Sequence, residues 1–269
     1  QVTGIDETAS SSAVKNSGTI HADGGQVILQ ASAAGDIFSS VVNQSGVIRA
    51  RSLTHEDGIV RLDGGDSGQV TVAGTIDASG PASGQTGGRV SLLGESVTLT
   101  PTARIDVSGA GGGGTALIGG QFQGRGTEPT ATTTLVADRA SISADALTQG
   151  TGGTVIVWAD GHTQYAGTIS AQGGASGGHG GFVEVSGKQA LDFTGRVDTT
   201  APAGRTGTLL LDPSNITISS AANANISAAP TFTGTTATST LNVTTLQTAR
   251  ATNNGISDTT SPFASAGNI

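Results

Sequence analysis

One short pattern recurs along the 269-residue chain: a small residue, any residue, Ile or Val, a polar residue, then a small or β-branched one. It reads Gly18-Thr19-Ile20-His21-Ala22, then Gly46-Val47-Ile48-Arg49-Ala50, then Gly74-Thr75-Ile76-Asp77-Ala78. It returns as Ala103-Arg104-Ile105-Asp106-Val107, Ala140-Ser141-Ile142-Ser143-Ala144 and Gly167-Thr168-Ile169-Ser170-Ala171. Gly195-Arg196-Val197-Asp198-Thr199 and Ala224-Asn225-Ile226-Ser227-Ala228 complete the set. The central positions, 20, 48, 76, 105, 142, 169, 197 and 226, are spaced by 28, 28, 29, 37, 27, 28 and 29 residues. Self-similarity at one such period is the mark of a stacked array. One interval departs from it, and Gly124–Pro129 inside that interval reads as an inserted loop.

Each unit carries a second apolar stretch, usually announced by Gly-Gly: Gln26–Leu29, Arg89–Leu93, Thr154–Trp158, Phe182–Val185 and Thr208–Leu211. Partial alternation, as in Phe182-Val183-Glu184-Val185-Ser186, suits strands with one buried face. Glycine clusters such as Gly111–Gly114 then turn the chain. A period near 28 with short strands and glycine corners fits one coil of a parallel β-helix. The expected fold is therefore all-β, a solenoid of about eight coils. It should occupy 14–218, after an irregular lead-in at 1–13 and before a Thr/Ser/Asn-rich continuation or cap at 219–269. Equivalent residues of successive coils should form columns. The Ile/Val column and the column two residues on, from Ala22 to Ala228, should point inward. The intervening column, His21, Arg49, Asp77, Asp106, Ser143, Ser170, Asp198 and Ser227, should face solvent.

Composition narrows what such a solenoid does. Aromatics are 3% and charged residues 12% of the chain, a poor stock for building a catalytic pocket. The formal net charge is -8, and Lys15 and Lys188 are the two lysines. A nucleic-acid partner needs a basic stripe, so none is expected. The longest apolar runs, such as Val155–Ala159, are far too short to cross a bilayer as a helix. The absence of Cys removes disulfides and thiolate ligands. The chain also has no Met, so Gln1 is not expected to be a natural start, and Asn268-Ile269 reads as a strand just beginning. The sequence is expected to be an interior piece of a longer protein, truncated at Ile269. With open strand edges at its ends, the piece should associate end to end.

A resemblance is carried by the stretch from Gly152 to Ile216. Gly152-Gly153-Thr154-Val155-Ile156-Val157-Trp158-Ala159-Asp160 leads to Tyr165-Ala166-Gly167-Thr168-Ile169-Ser170-Ala171-Gln172-Gly173-Gly174. Gly180-Gly181-Phe182-Val183-Glu184-Val185-Ser186-Gly187-Lys188 follows, then Leu209-Leu210-Leu211-Asp212-Pro213-Ser214-Asn215-Ile216-Thr217-Ile218. These strings resemble the exoproteins of Gram-negative two-partner secretion, the filamentous-haemagglutinin-like and high-molecular-weight adhesins. Upstream, Gly24–Leu29 and Val41–Gly46 are similar to the end of that family's secretion domain running into its stalk. The resemblance spans most of 14–218. It implies export of the parent protein through a dedicated outer-membrane transporter. It also implies a fibre wound as a right-handed parallel β-helix, and a place outside the cell or on its surface. The Asn-Pro-Asn motifs of the family's secretion domain do not occur here.

Parallel β-helices also build pectin-degrading enzymes, so a site must be sought. Gly178-His179-Gly180 is similar to one polygalacturonase element, but hydrolysis there needs paired carboxylates and no Asp-Asp dipeptide occurs. The nearest match to that family's basic element is Arg104-Ile105-Asp106, with an acid where a base is required. A glycine-rich turn carrying one His is the better account. Asp77 and Asp106 should stack in adjacent coils, with Asp63 and Asp66 near in sequence. They offer the carboxylates of a Ca²⁺ site or a lyase cleft. They also fit as solvated positions beside Arg49, which is the reading we prefer. His21, His55, His162 and His179 are scattered, with none at zinc-ligand spacing. Trp158 and Tyr165 could form a sugar-stacking pair, although Trp158 at the end of an apolar strand more often packs in a core or corner. Asn43, Asn215, Asn225 and Asn242 head glycosylation sequons, and some proteins of the resembling family are modified at such sites.

The reading that emerges is a non-catalytic stalk segment of a secreted adhesin, needing no cofactor. It would project a tip toward a receptor on a host or neighbouring cell and mediate attachment or aggregation. Two alternatives stay open: a glycan- or matrix-binding module on a solenoid flank, and a β-helical carbohydrate-active enzyme.

Overall fold

The computed structural model describes residues 12–31, 40–53 and 57–211, with the backbone of three short strands at Ile216–Ser219, Ser239–Asn242 and Ile256–Ser257. The described chain winds as a parallel β-solenoid of seven turns, each contributing one strand to each of three sheets. Sheet A takes Ser12–Asn16, Ser40–Gln44, Gln69–Val72, Ser96–Leu99, Thr133–Val136, His162–Tyr165 and Ala190–Phe193. Sheet B takes Thr19–His21, Val47–Arg49, Thr75–Asp77, Arg104–Asp106, Ser141–Ser143, Thr168–Ser170 and Arg196–Asp198. Sheet C takes Gln26–Gln30, Ile59–Asp63, Arg89–Leu93, Thr115–Ile118, Thr154–Ala159, Phe182–Gly187 and Thr208–Leu210, with Ile256–Ser257 added at its end. The first strand begins at Ser12, slightly ahead of the boundary read from sequence.

The periodic positions fall in register. Ile20, Ile48, Ile76, Ile105, Ile142, Ile169 and Val197 pair in succession along sheet B. From Ile48 to Ile169 each is at most 1% exposed, and Val197 is buried as well. Ile20, in the first coil, is half-buried. Ala50, Ala78, Val107, Ala144, Ala171 and Thr199 form the second inward column and are wholly buried. Each buried Ile contributes roughly 1.5–3 kcal/mol of hydrophobic stabilisation before the entropy cost of ordering it. That contribution depends on neighbouring coils, because one coil has nothing to bury its own face against. The eighth repeat, with Ile226, Ser227 and Ala228, lies outside the described residues.

The inner corner between sheets A and B changes character along the stack. Asn16, Gln44, Val72, Leu99, Val136, Tyr165 and Phe193 follow one another in register. At the first coils the column is amide-rich. The Asn16 side-chain amide donates to Gln44 Oε1 at 2.7 Å, and Gln44 Nε2 donates to the carbonyl of Gly46 at 2.9 Å. At the last coils it is aromatic, with Tyr165 stacked on Phe193 at 5.2 Å between ring centroids.

Glycine sets the corner before sheet C. Gly58, Gly88, Gly114, Gly153, Gly181 and Gly207 stack so closely that a Cβ on any of the last five would lie 2.0–2.2 Å from the carbonyl oxygen of the glycine one coil earlier. No larger residue fits, and this close approach is why a glycine precedes each of these strands, doubled before Arg89, Thr115, Thr154 and Phe182.

Candidate functional surface

The outward column of sheet B runs His21, Arg49, Asp77, Asp106, Ser143, Ser170, Asp198, each in register with the next. Asp77 and Asp106 do stack in adjacent coils. Their oxygens, however, serve the local backbone. Asp77 Oδ1 accepts from the Ser79 N–H at 3.1 Å and the Ser79 hydroxyl at 2.6 Å, and its Oδ2 accepts from Arg51 Nε at 2.7 Å. Asp106 Oδ1 accepts from the Ser108 N–H at 2.9 Å, and Asp198 Oδ1 from the Thr200 N–H at 2.9 Å. These are Asx turns, in which the carboxylate fixes the corner that leads away from sheet B. Asp145 and Asp23 do the same work across coils, accepting from the backbone N–H groups of Gln172 and Arg51. The Arg49 guanidinium bonded to Asp23 holds that carboxyl below its ordinary pKa, with burial offsetting part of the effect.

The nearness of Asp63 to Asp77 in sequence is not realised in space. Asp63 points outward from sheet C, where it accepts from Arg61 and from the Gly65 N–H. Among the described residues no three His, Asp or Glu side chains come together as metal ligands.

Trp158 and Tyr165 do not form a sugar platform. They point to opposite sides of the solenoid wall. Tyr165 lies inside the core, 1% exposed, and its hydroxyl donates to the Arg196 carbonyl at 2.7 Å. Burial pushes its phenol well above the ordinary pKa. Trp158 points outward from sheet C but is only 4% exposed, because the inserted segment lies over it. Its Nε1 donates to Asp160 Oδ1 at 3.2 Å. Both rings are occupied in packing, so neither face is open to a ligand.

The histidines are dispersed. His179 Nδ1 accepts the Arg205 N–H at 3.0 Å, so this ring braces the glycine-rich turn across one coil. His162 Nε2 meets Asp192 Oδ2 at 3.0 Å on the outer face of sheet A. His21 is exposed, and His55 lies outside the described residues. Of the sequons, Asn43 is half-buried within a strand flanked on both sides in sheet A. Asn242 ends a short strand, and Asn215 and Asn225 lie outside the described residues.

The feature that sequence reasoning located but did not interpret is the insert. The N–H of Ala131 donates to the Gly119 carbonyl at 2.7 Å, which pinches the segment into an Ω-loop, Gly120–Thr130. The loop folds back over the outer face of sheet C. There Leu117, Ile156 and Trp158 form a small apolar cluster with Phe182 packed at its edge, separate from the main core. Gly124 sits flat on the indole, since a Cβ there would come 2.6 Å from Trp158 Cε2. Phe122 meets Phe182 edge to face at 5.7 Å. Two polar anchors reach beyond the loop's own coil. Glu128 Oε2 accepts from Arg61 Nη1 at 2.7 Å, in the second coil. The Gln123 N–H donates to the Glu184 carboxylate at 3.1 Å, in the sixth. Burial draws the Arg61 guanidinium down, but the Glu128 and Asp63 carboxylates outweigh it and hold its pKa above the ordinary value. Neither Arg61 nor Glu184 carries a sequence signal for this role.

The fold and surface together define a parallel β-solenoid whose outward polar groups largely brace its own corners. No protein-family model matches the chain, and a search of curated proteins returns no match.

Proposed function

We propose that this chain is a non-catalytic stalk segment of a secreted or surface-exposed adhesin of the two-partner secretion kind. In this reading it holds a distal receptor-binding part away from the cell and so mediates attachment or aggregation. The observation that carries the proposal is the unbroken register of seven coils. The outward acids along it are spent on backbone and neighbouring side chains. Such an array supplies length and stiffness, and a repeating wall needs no special residue at any one coil. The resemblance of 152–218 to the two-partner exoproteins supplies the export route, through an outer-membrane transporter, and the extracellular setting of a Gram-negative bacterium. Burial of Trp158 and Tyr165 weighs against the glycan-binding alternative, which loses its aromatic platform.

The test compares attachment of bacteria displaying the parent protein with and without Asp77→Asn, Asp106→Asn and Asp198→Asn together. Attachment at the parental level supports the stalk reading. Loss of attachment with display intact overturns it in favour of a ligand-binding flank. Loss of turnover on a uronide polymer in His179→Ala would instead establish the enzymatic alternative.

A further inference from the structure

We propose that the Ω-loop Gly120–Thr130 is a hinged cover, which opens as one unit and bares an apolar strip on the outer wall while the coils remain intact. The inference rests on the geometry of the loop alone and stands whether or not the stalk reading holds.

Three observations carry it. The first is a contrast in what holds each part. The coils are joined by continuous parallel ladders on three sheets. Among the described residues, polar anchors of the loop's arch are separate points: Arg61 to Glu128, the Gln123 N–H to Glu184, and the Thr130 hydroxyl to Asp160 at 2.5 Å. The Arg61–Glu128 pair keeps about a quarter of its side-chain surface in water, so solvent and salt compete for it. Segments held this way occupy the low end of a protein's local stability range.

The second is backbone strain at the crown. Gln123 adopts φ 53°, in the left-handed region that side chains other than glycine avoid, and Gly124 follows at φ 62°. A bulky left-handed residue is strained and persists only where its surroundings hold it. Here the hold is the Gln123 N–H on Glu184 and the fit of Gly124 on the indole, so the strain relaxes when the loop lifts.

The third is the base. Gly119, at φ 80°, and Ala131 are hydrogen-bonded to each other, and both are tied to the wall: the Gly119 N–H donates to the Leu92 carbonyl, and the Ala131 carbonyl accepts from Asp160. The arch can therefore move about a fixed foot without disturbing the strands that flank it. What it uncovers is the only apolar cluster outside the main core among the described residues, Leu117, Ile156 and Trp158. Closed, the arch reaches anchors from the second coil to the sixth, roughly 19 Å along the axis at the usual strand spacing.

Trp158 is the chain's sole tryptophan, so its emission reports on the cover directly. The experiment follows acrylamide quenching of Trp158 and far-UV circular dichroism through the same urea titration. It uses the wild-type chain, Glu128→Gln, which removes the Arg61 partner, and Gly124→Ala, which drives a methyl group into the indole. The expected result is a several-fold rise in quenching at urea concentrations where the dichroism is still native. Each variant should shift that rise to lower urea and leave the dichroism midpoint nearly in place. Quenching that tracks the dichroism in all three proteins would overturn the proposal, because the loop would then be an inseparable part of the coils. A quenching rate already at the free-indole level in the wild-type chain without urea would overturn it as well, since nothing would then be covered.

Discussion

The hydroxyl of Tyr165, deep in the solenoid, donates a hydrogen bond to the carbonyl oxygen of Arg196 one coil further on, at 2.7 Å. Burial raises the phenol's pKa well above the ordinary value of 10.0, and the Ile169 amide offsets only part of this. The unfolded chain therefore releases this proton before the folded one does. The stability tied to it is fully present below pH 10 and is lost as pH rises toward the folded-state value. Tyr165 is the chain's single tyrosine, so tyrosinate absorbance is unambiguous. We expect that absorbance to appear only together with loss of β dichroism, above about pH 10. Tyr165→Phe should cost about 1 kcal/mol, because the Arg196 carbonyl is left unsatisfied.

The glycine ladder predicts a sharp positional contrast. Gly153→Ala places a methyl carbon 2.2 Å from the Gly114 carbonyl oxygen, whereas at Gly18 a Cβ meets nothing within 4 Å. The first substitution should destabilise by about 1–3 kcal/mol or more, as overpacking against rigid backbone does. The second should be neutral or stabilising by up to about 1 kcal/mol through the unfolded state. Urea denaturation of the two variants checks both signs.

Asp192 is buried with Oδ1 lacking a partner, and His162 bonds its Oδ2. His162→Ala should therefore cost more than loss of one surface pair, about 1–3 kcal/mol, since a buried carboxylate loses that bond. Asp192→Asn should cost less. A double-mutant cycle on the two positions measures the coupling.

The first coil predicts association. Val14, Ile20 and Leu29 are half-buried, while Val42, Ile48 and Leu62, their equivalents one coil on, are 0% exposed. Among the described strands, those of the first coil are paired on one side only. Unpaired edges recruit strands. Sedimentation should show mass increasing with concentration, and Ile20→Lys should suppress it. A concentration-independent monomer would remove this expectation.

Much of the wall was legible in the sequence. The interval of 28 residues places Ile48 over Ile76 because parallel coils repeat the same backbone path, so spacing alone gives the register. The 37-residue interval likewise marked the insert. What was not legible depends on contacts between segments that share no periodicity. Val155-Ile156-Val157-Trp158 is apolar on both faces, and its alternation is masked because a loop from elsewhere covers the outer one. Nothing local distinguishes Trp158 under that loop from an exposed Trp, nor Tyr165 inside the core from a partner beside it. Asp63 misled for a related reason: closeness in sequence to Asp77 spans a corner, and the two carboxylates emerge from different sheets.

The central claim is that the coils act through length and not through any one coil's surface. It is tested most directly by removing a whole coil from the displayed parent protein. Val47 and Thr75 are register equivalents, so deleting 47–74 joins Gly46 to Thr75 and leaves every remaining ladder in phase. The solenoid should shorten by about 4.8 Å. The measurement is bacterial attachment, with surface display quantified in parallel. The account predicts normal display and attachment close to the parental level, both for this deletion and for duplication of the same coil. Attachment lost in the deletion, with the protein folded and displayed, would contradict it and place the binding function in the coil itself.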